Sequence, residues 1–247
     1  MVNVEQPVAM ITGASSGIGR AIAQRLAGHY KLAICARRQE RLDELLATLT
    51  SADAVISQSV DLREESQILA FFEQVRQIWG GVDVLINNAG LGHKASLLTG
   101  ATEAWREMLD VNVLALCICT REALNDMRQR GDRGHVIHIS SMSGHRVPAG
   151  SGLYAASKFA VRALTEGLRQ ELRQAQSQIK VTAISPGFVE TEFAEKYHQS
   201  ATKAAEVYSQ FPVLQPHDIA EAVWYALSQP EHVQIHDLLL RPTQQMN

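Results

Sequence analysis

Tyr154 and Lys158 stand four residues apart in Tyr154-Ala155-Ala156-Ser157-Lys158, a spacing that puts two side chains on one face of a helix. A phenol has a pKa of about 10 and moves protons poorly at neutral pH. A fixed ammonium a few ångströms away favours the phenolate and draws that value toward the working range. A tyrosine tuned in this way can protonate a carbonyl oxygen or take a proton from an alcohol. Tyr and Lys also fall at this interval on many solvated helices, so the pair gains meaning only from its surroundings.

A second chemistry sits near the N-terminus. Thr12-Gly13-Ala14-Ser15-Ser16-Gly17-Ile18-Gly19 follows the apolar run Val8–Thr12 and opens an amphipathic stretch. Glycines at a strand-to-helix turn permit a sharp bend, close approach to a pyrophosphate and tight packing on the sheet. The helix start then offers free N–H groups and a positive dipole end to the phosphates. After the second apolar run, where an acid would select free ribose hydroxyls, the chain carries Arg37 and Arg38. A guanidinium holds a 2′-phosphate through paired charge-assisted bonds, whereas an acid repels it. NADP(H) is therefore expected over NAD(H), the alternative being two solvated arginines opening a helix.

These residues need a scaffold, and the chain alternates β-rich runs with helical patterns throughout. The expected strands are Val8–Thr12, Lys31–Ala36, Ala54–Val60, Val82–Asn87, His135–Ser140, Lys180–Ser185 and Gln234–Leu239. Helical patterns begin near Gly17, Gln39, Glu64, Thr102, Tyr154 and His217. Continuous apolar strands suit a parallel sheet covered on both faces, and strict alternation with helices predicts a doubly wound α/β fold. No linker divides the 247 residues, so residues 1–247 are expected to form one domain. From Phe188 to Gln215 no strand pattern appears and aromatics gather. A substrate lid over about 188–215 fits a loop of that length, and an ordinary helical insertion is the alternative.

The bulk numbers restrict the partners. Hydrophobic residues make up 46%, enough for a large core, and the net charge of −3 gives no reason to expect nucleic acid or an anionic membrane. No charged-then-apolar leader is visible, no apolar run approaches a bilayer span, and Cys35, Cys117 and Cys119 lack metal spacing. A cytoplasmic protein with reduced thiols is expected. His135, His138 and His145 are close in sequence but straddle a strand and a loop, so no metal site is expected.

Taken together, the chain resembles the short-chain dehydrogenase/reductase family over essentially its whole length. The resemblance rests on Thr12–Gly19, Asn87-Asn88-Ala89-Gly90, Asn112, Ser141, Tyr154-x-x-x-Lys158 and Pro186-Gly187, in that order. It implies that Tyr154 is the general acid in reduction and that Lys158 lowers its pKa and binds the nicotinamide ribose. It further implies that Ser141, thirteen residues before Tyr154, steadies the substrate oxygen, with Ser140 as competitor. Asn112 would hold a water linking Lys158 to solvent, unless it serves backbone geometry alone.

For the cofactor, the resemblance implies contacts from Gly13, Ser15, Ser16, Gly17, Ile18 and Gly19. It adds Asp61 and Leu62 at adenine, with Asp61 as a helix cap the alternative. Asn88, Ala89 and Gly90 would lie along the adenosine, Pro186, Gly187 and Val189 beside the nicotinamide, and Thr191 on its carboxamide. Ser141, His145, Val147, Phe188 and Phe193 are the expected substrate contacts. A narrower likeness, in Val111–Leu116, Ser141–Val147, Leu164–Arg173 and Arg241-Pro242-Thr243, is to the dehydrogenase/reductase member eleven group and the insect farnesol dehydrogenases. It implies ketosteroids, dicarbonyls or apolar alcohols as substrates and a homotetramer, or a dimer, built on helices 112–130 and 154–174. Ile235-His236-Asp237 replaces the family's usual ending of an aspartate and paired glycines. A cofactor-sensing regulator without turnover is the alternative outside catalysis, but it would need no Ser, Tyr, Lys and Asn in register. An epimerase or dehydratase would need a larger C-terminal region.

Overall fold

The β-rich runs become parallel strands in the computed structural model, which describes residues 6–49 and 54–246. They are β1 (Val8–Thr12), β2 (Lys31–Ala36), β3 (Val55–Ser59), β4 (Val84–Asn87), β5 (His135–Ile139), β6 (Lys180–Pro186) and β7 (Asp237–Leu240). The sheet order is β3-β2-β1-β4-β5-β6-β7, parallel throughout. This is the expected doubly wound α/β domain, and the order reverses between β1 and β4. Ligands of open α/β sheets bind at such a reversal, beyond the carboxyl ends of the strands.

The helices are α1 (Gly17–Leu26), α2 (Gln39–Leu46), α3 (Glu65–Trp79), α4 (Thr102–Leu109), α5 (Ala115–Gln129), α6 (Gly152–Gln174), α7 (Phe193–His198), α8 (Ala201–Tyr208) and α9 (Pro216–Leu227). Alternate strand residues point to opposite faces, which gives two apolar layers. Ile11, Ile34 and Ile86 pack with Ile22 and Leu26 of α1 and Ile219 and Val223 of α9. Met10, Leu85 and Val136 pack with Phe71, Phe72 and Val75 of α3 and Ile118 and Ala123 of α5. In α3, Ile68, Phe71, Phe72 and Val75 are buried, the i, i+3, i+4, i+7 stripe of an amphipathic helix. Pro216 starts α9 without wasting a donor, and Asp218 accepts from Gln215 N–H at 2.7 Å.

Several boundaries depart from expectation by one to three residues. β4 starts at Val84 because Asp126 Oδ2 takes the Val82 N–H at 3.1 Å. β7 starts at Asp237 because the side chain of Gln234, not its backbone, accepts from Val181 N–H at 3.1 Å. The helix expected from Asn112 starts at Ala115, and Asn112 itself lies in one wide turn, Asp110–Leu114, with π geometry. Residues 188–215 are not one open loop. Val189 pairs with Leu214 at the base, and α7 and α8 fill the excursion.

Candidate active site

A cleft of about 1110 Å³ runs along the carboxyl ends of β1 to β6. Its foundation is the stitching of β1 to β4. Thr12 Oγ1 accepts from Asn88 N–H (3.1 Å) and Ala89 N–H (3.0 Å), and Asn88 Nδ2 donates to Thr12 O at 2.8 Å. Gly13 and Gly17 adopt φ of +69° and +52°, left-handed values that other residues rarely take. Ser16, the N-cap of α1, is extended and makes no side-chain cap bond, so the first N–H groups of the helix face the cleft uncapped. Gly19 does something else: a Cβ there would lie 2.4 Å from both Gly13 O and Asn88 Nδ2. It lets α1 pack on the turn, with its Cα turned to the Gly13 carbonyl and the Asn88 amide.

The donors suit a dinucleotide: uncapped N–H groups at α1, the Ser15 and Ser16 hydroxyls, and two arginines beyond β2, all lining one cleft. Arg38 Nη2 donates to Ser16 Oγ at 3.0 Å and Glu192 Oε2 at 2.9 Å. Arg37 is more exposed and pairs with Glu107 at 3.4 Å. Asp61 and Leu62 line the same end. Asp61 is not the cap of α3, which is Glu64, but it accepts from Arg63 N–H at 3.0 Å and pairs with its guanidinium. That pairing holds its carboxyl below the usual range. Asn88, Ala89 and Gly90 line the middle, and Pro186, Gly187, Val189 and Thr191 the far side. Thr191 Oγ1 accepts from Phe193 N–H at 3.2 Å, just ahead of α7, and its methyl approaches Gly17.

The expected chemistry converges on α6 and the end of β5. Ser141 caps the short 3₁₀ turn Met142–Gly144, with Oγ accepting from Ser143 N–H at 3.0 Å, and it also hydrogen-bonds Tyr154. Ser140 Oγ instead turns to Lys158 O at 3.5 Å, which favours Ser141 of the two. Lys158 is buried, with Nζ donating to Ile139 O at 3.0 Å and lying 6.0 Å from the Tyr154 ring centre. Burial pushes the Lys158 ammonium down to about 8 and the Tyr154 phenol up to about 12, the Ser141 bond acting against the latter. Desolvation is the largest influence on the Tyr154 phenol and sets the direction of its shift.

Two expected residues are placed differently. Asn112 lies behind the cleft wall, with Oδ1 accepting from Leu91 N–H (2.9 Å) and Nδ2 donating to Leu91 O (2.8 Å) and Ser157 Oγ (3.0 Å). Its amide shapes the backbone at Leu91 and keeps one free lone pair on Oδ1. The His145 ring is tied to β6 and β7. Its Nε2 meets Ser185 Oγ at 3.0 Å and Asp237 Oδ2 at 3.3 Å. His135 and His138 are buried in β5 against Thr182 and Thr165, and burial holds both down to about 3, hence neutral.

Val147, Phe188 and Phe193 line the cleft as expected, and Tyr197 joins them. The Tyr154 ring centre lies 5.2 Å from Phe193 and 6.2 Å from Tyr197, and Tyr197 OH donates to Gly150 O at 3.2 Å. Gly92 was missed: a Cβ there would come within 2.8 Å of Phe193 and 3.1 Å of Tyr154. The Gly90-Leu91-Gly92 spacing was the available signal. Gln245, also missed, accepts from Phe188 N–H at 3.1 Å and seals the cleft beside Gly187. Nothing in the tail's pattern announces that fold-back.

Comparison with known proteins agrees with this geometry. Residues 7–202 match the short chain dehydrogenase family model. Dehydrogenase/reductase SDR family member 11 of Bos taurus is 52% identical, the alignment covering 97% of each chain. Farnesol dehydrogenase of Aedes aegypti is 42% identical over 95% of each. Among solved structures, the closed form of a serine dehydrogenase complexed with NADP+ superposes with a TM-score of 0.91 at 34% identity, covering 97% of this chain and 96% of that one. An alcohol dehydrogenase from Thermococcus sibiricus complexed with 5-hydroxy-NADP gives 0.85 at 30%, covering 98% and 99%. The chain therefore belongs to the short-chain dehydrogenase/reductase family, as an oxidoreductase that acts on CH–OH groups with a nicotinamide cofactor.

Proposed function

We propose an NADP(H)-dependent carbonyl reductase or alcohol dehydrogenase for a fairly apolar small molecule of ketosteroid, dicarbonyl or isoprenoid type. One observation carries the reading: the Ser141 and Tyr154 hydroxyls meet beneath aromatic rings in the cleft that Arg38 and the glycine turn enter from the other end. NADP(H) is favoured by Arg37 and Arg38, and by the NADP complexes among structural neighbours.

The bound nicotinamide would supply the hydride. Tyr154 would give the proton to the carbonyl oxygen, while the Ser141 hydroxyl stabilises charge on the same atom. Lys158 would stabilise the phenolate left behind and hold the ribose. Asn112 would fix Leu91 and Gly92, against which the substrate side of Tyr154 is shaped. Leu91, Val147, Phe188, Phe193 and Tyr197 give the apolar walls expected of small-molecule sites, with residues 188–215 as the lid. None of the described helices is long and apolar enough to cross a membrane. Three free cysteines, two of them buried, suit the reducing cytoplasm that we propose as its location.

The test is NADPH consumption by the purified protein against ketosteroids, diketones, aldehydes and isoprenoid alcohols, with the reverse reaction alongside. Tyr154→Phe should lower turnover about 10²–10⁴-fold and leave NADPH affinity within about twofold of the parent, since only the phenol is lost. NADPH binding without turnover across the whole panel would instead favour a catalytically silent cofactor sensor.

A further inference from the structure

The segment over Tyr154 and the arginine at the cofactor end are joined by one carboxylate. Arg38 Nη2 and Nη1 reach Glu192 Oε2 and Oε1 at 2.9 and 3.4 Å, and the same Nη2 bonds Ser16 Oγ at 3.0 Å. Both side chains are about a third exposed and line the cleft. Glu192 is the N-cap residue of α7, whose Phe193 and Tyr197 lie against Tyr154. Nothing in the sequence patterns pointed to Glu192.

We propose that Glu192 is a cofactor-specificity residue, competing with the cofactor's 2′-phosphate for the Arg38 fork, so that phosphate binding unlatches the start of α7. The inference rests on the NADP(H) reading above. Glu192 takes both Nη groups of Arg38, and that edge of a guanidinium can hold either a carboxylate or a phosphate through two parallel bonds. A phosphate monoester carries roughly −1.5 to −2 charges at neutral pH, against one on Glu192, so the phosphate outbids the carboxylate. The displaced carboxylate is not stranded, because Lys196 Nζ already holds Glu192 Oε2 at 2.6 Å. The two cations together draw its carboxyl down to about 2, so it stays charged throughout. NADH has no anion at that ribose position and leaves the latch in place.

The experiment is fluorescence titration of NADPH and NADH into the parent and Glu192→Gln, which keeps the shape and removes the charge. The variant should bind NADPH about fivefold more tightly or better, the worth of one partly exposed ion pair, with NADH unchanged. Glu192→Asp, charged but shorter, should fall between. Unchanged or weaker NADPH binding in Glu192→Gln overturns the competition, as does equal tightening of both nucleotides, which would mean general loosening. If the parent binds neither nucleotide, the cofactor reading fails first and the latch falls with it.

Discussion

Burial moves Tyr154 and Lys158 in opposite directions, up to about 12 and down to about 8, and this decides which group titrates near physiological pH. The phenol remains protonated, as a donor in carbonyl reduction must, while Lys158 is cationic below about 8 and neutral above it. Only the cation stabilises a phenolate, so kcat for reduction should decline as pH rises through about 8. Lys158→Met should lose that limb of the profile along with about 10²–10⁴ in rate. Unfolding through Lys158 cannot mimic the decline. An unfolded lysine keeps its proton to about 10.4, so from about 8 to that value the unfolded chain binds more protons, and this group adds stability as pH rises. A flat profile would remove Lys158 as the charge behind Tyr154. The pairing of Tyr154 and Lys158 was legible because spacing on a helix fixes direction, whereas Ser141, which caps a turn outside that helix, was reached through the family's interval. His145 and Glu192 were not, because a loop pattern does not say which way a side chain turns.

The turn between β1 and α1 shows how an element's packing, more than its ligand contacts, can dictate a residue. Sequence spacing marked Gly13, Gly17 and Gly19 as one phosphate motif, yet Gly19 faces the Gly13 carbonyl and the Asn88 amide with no room for a Cβ. Neither neighbour yields cheaply, since one is backbone and the other donates to Thr12 O at 2.8 Å. Gly19→Ala should therefore destabilise the protein by about 1–3 kcal/mol, the usual cost of overpacking. In a domain of this size that is a loss of roughly 2–4 °C in Tm per kcal/mol, measurable by thermal unfolding. Cofactor affinity should fall as well, because the displaced atoms carry the turn. No loss of either would mean that α1 shifts freely on the sheet. Strand identities were readable from apolar runs, and α1, α2 and α4 begin where expected. The π turn at Asp110–Leu114 was hidden, because one extra residue in a helix barely disturbs its apolar stripe. α7 and α8 were anticipated only as the helical alternative to an open lid, because short helices take their order from tertiary contacts such as the Tyr208 hydroxyl to Thr191 O at 3.1 Å.

For the molecule as a whole, the two apolar layers account for the inner faces of α5 and α6 but not for everything they carry outside. Leu114 is 55% exposed just before α5, Phe159 is 39% exposed on α6, and Leu109 and Leu164 are exposed beside them in sequence. Isolated exposed leucines are ordinary, but Leu114, Phe159 and Leu164 fall within the two segments, 112–130 and 154–174, that family resemblance assigns to subunit contact. We therefore propose a homotetramer, with a dimer as the smaller alternative, closed by symmetric pairing of these faces. Light scattering at micromolar concentration should give a mass near four times 27.2 kDa, and Leu114→Glu with Phe159→Glu should reduce it. Charges there would be desolvated and unpaired in the assembly yet harmless on a free surface. The double variant should also lose activity more than stability. Leu114 closes the π turn that carries Asn112, and Asn112 fixes Leu91 beside Gly92 and the Tyr154 ring. A monomeric parent would instead leave those side chains as plain surface, and the π turn would have to hold its shape without a neighbour.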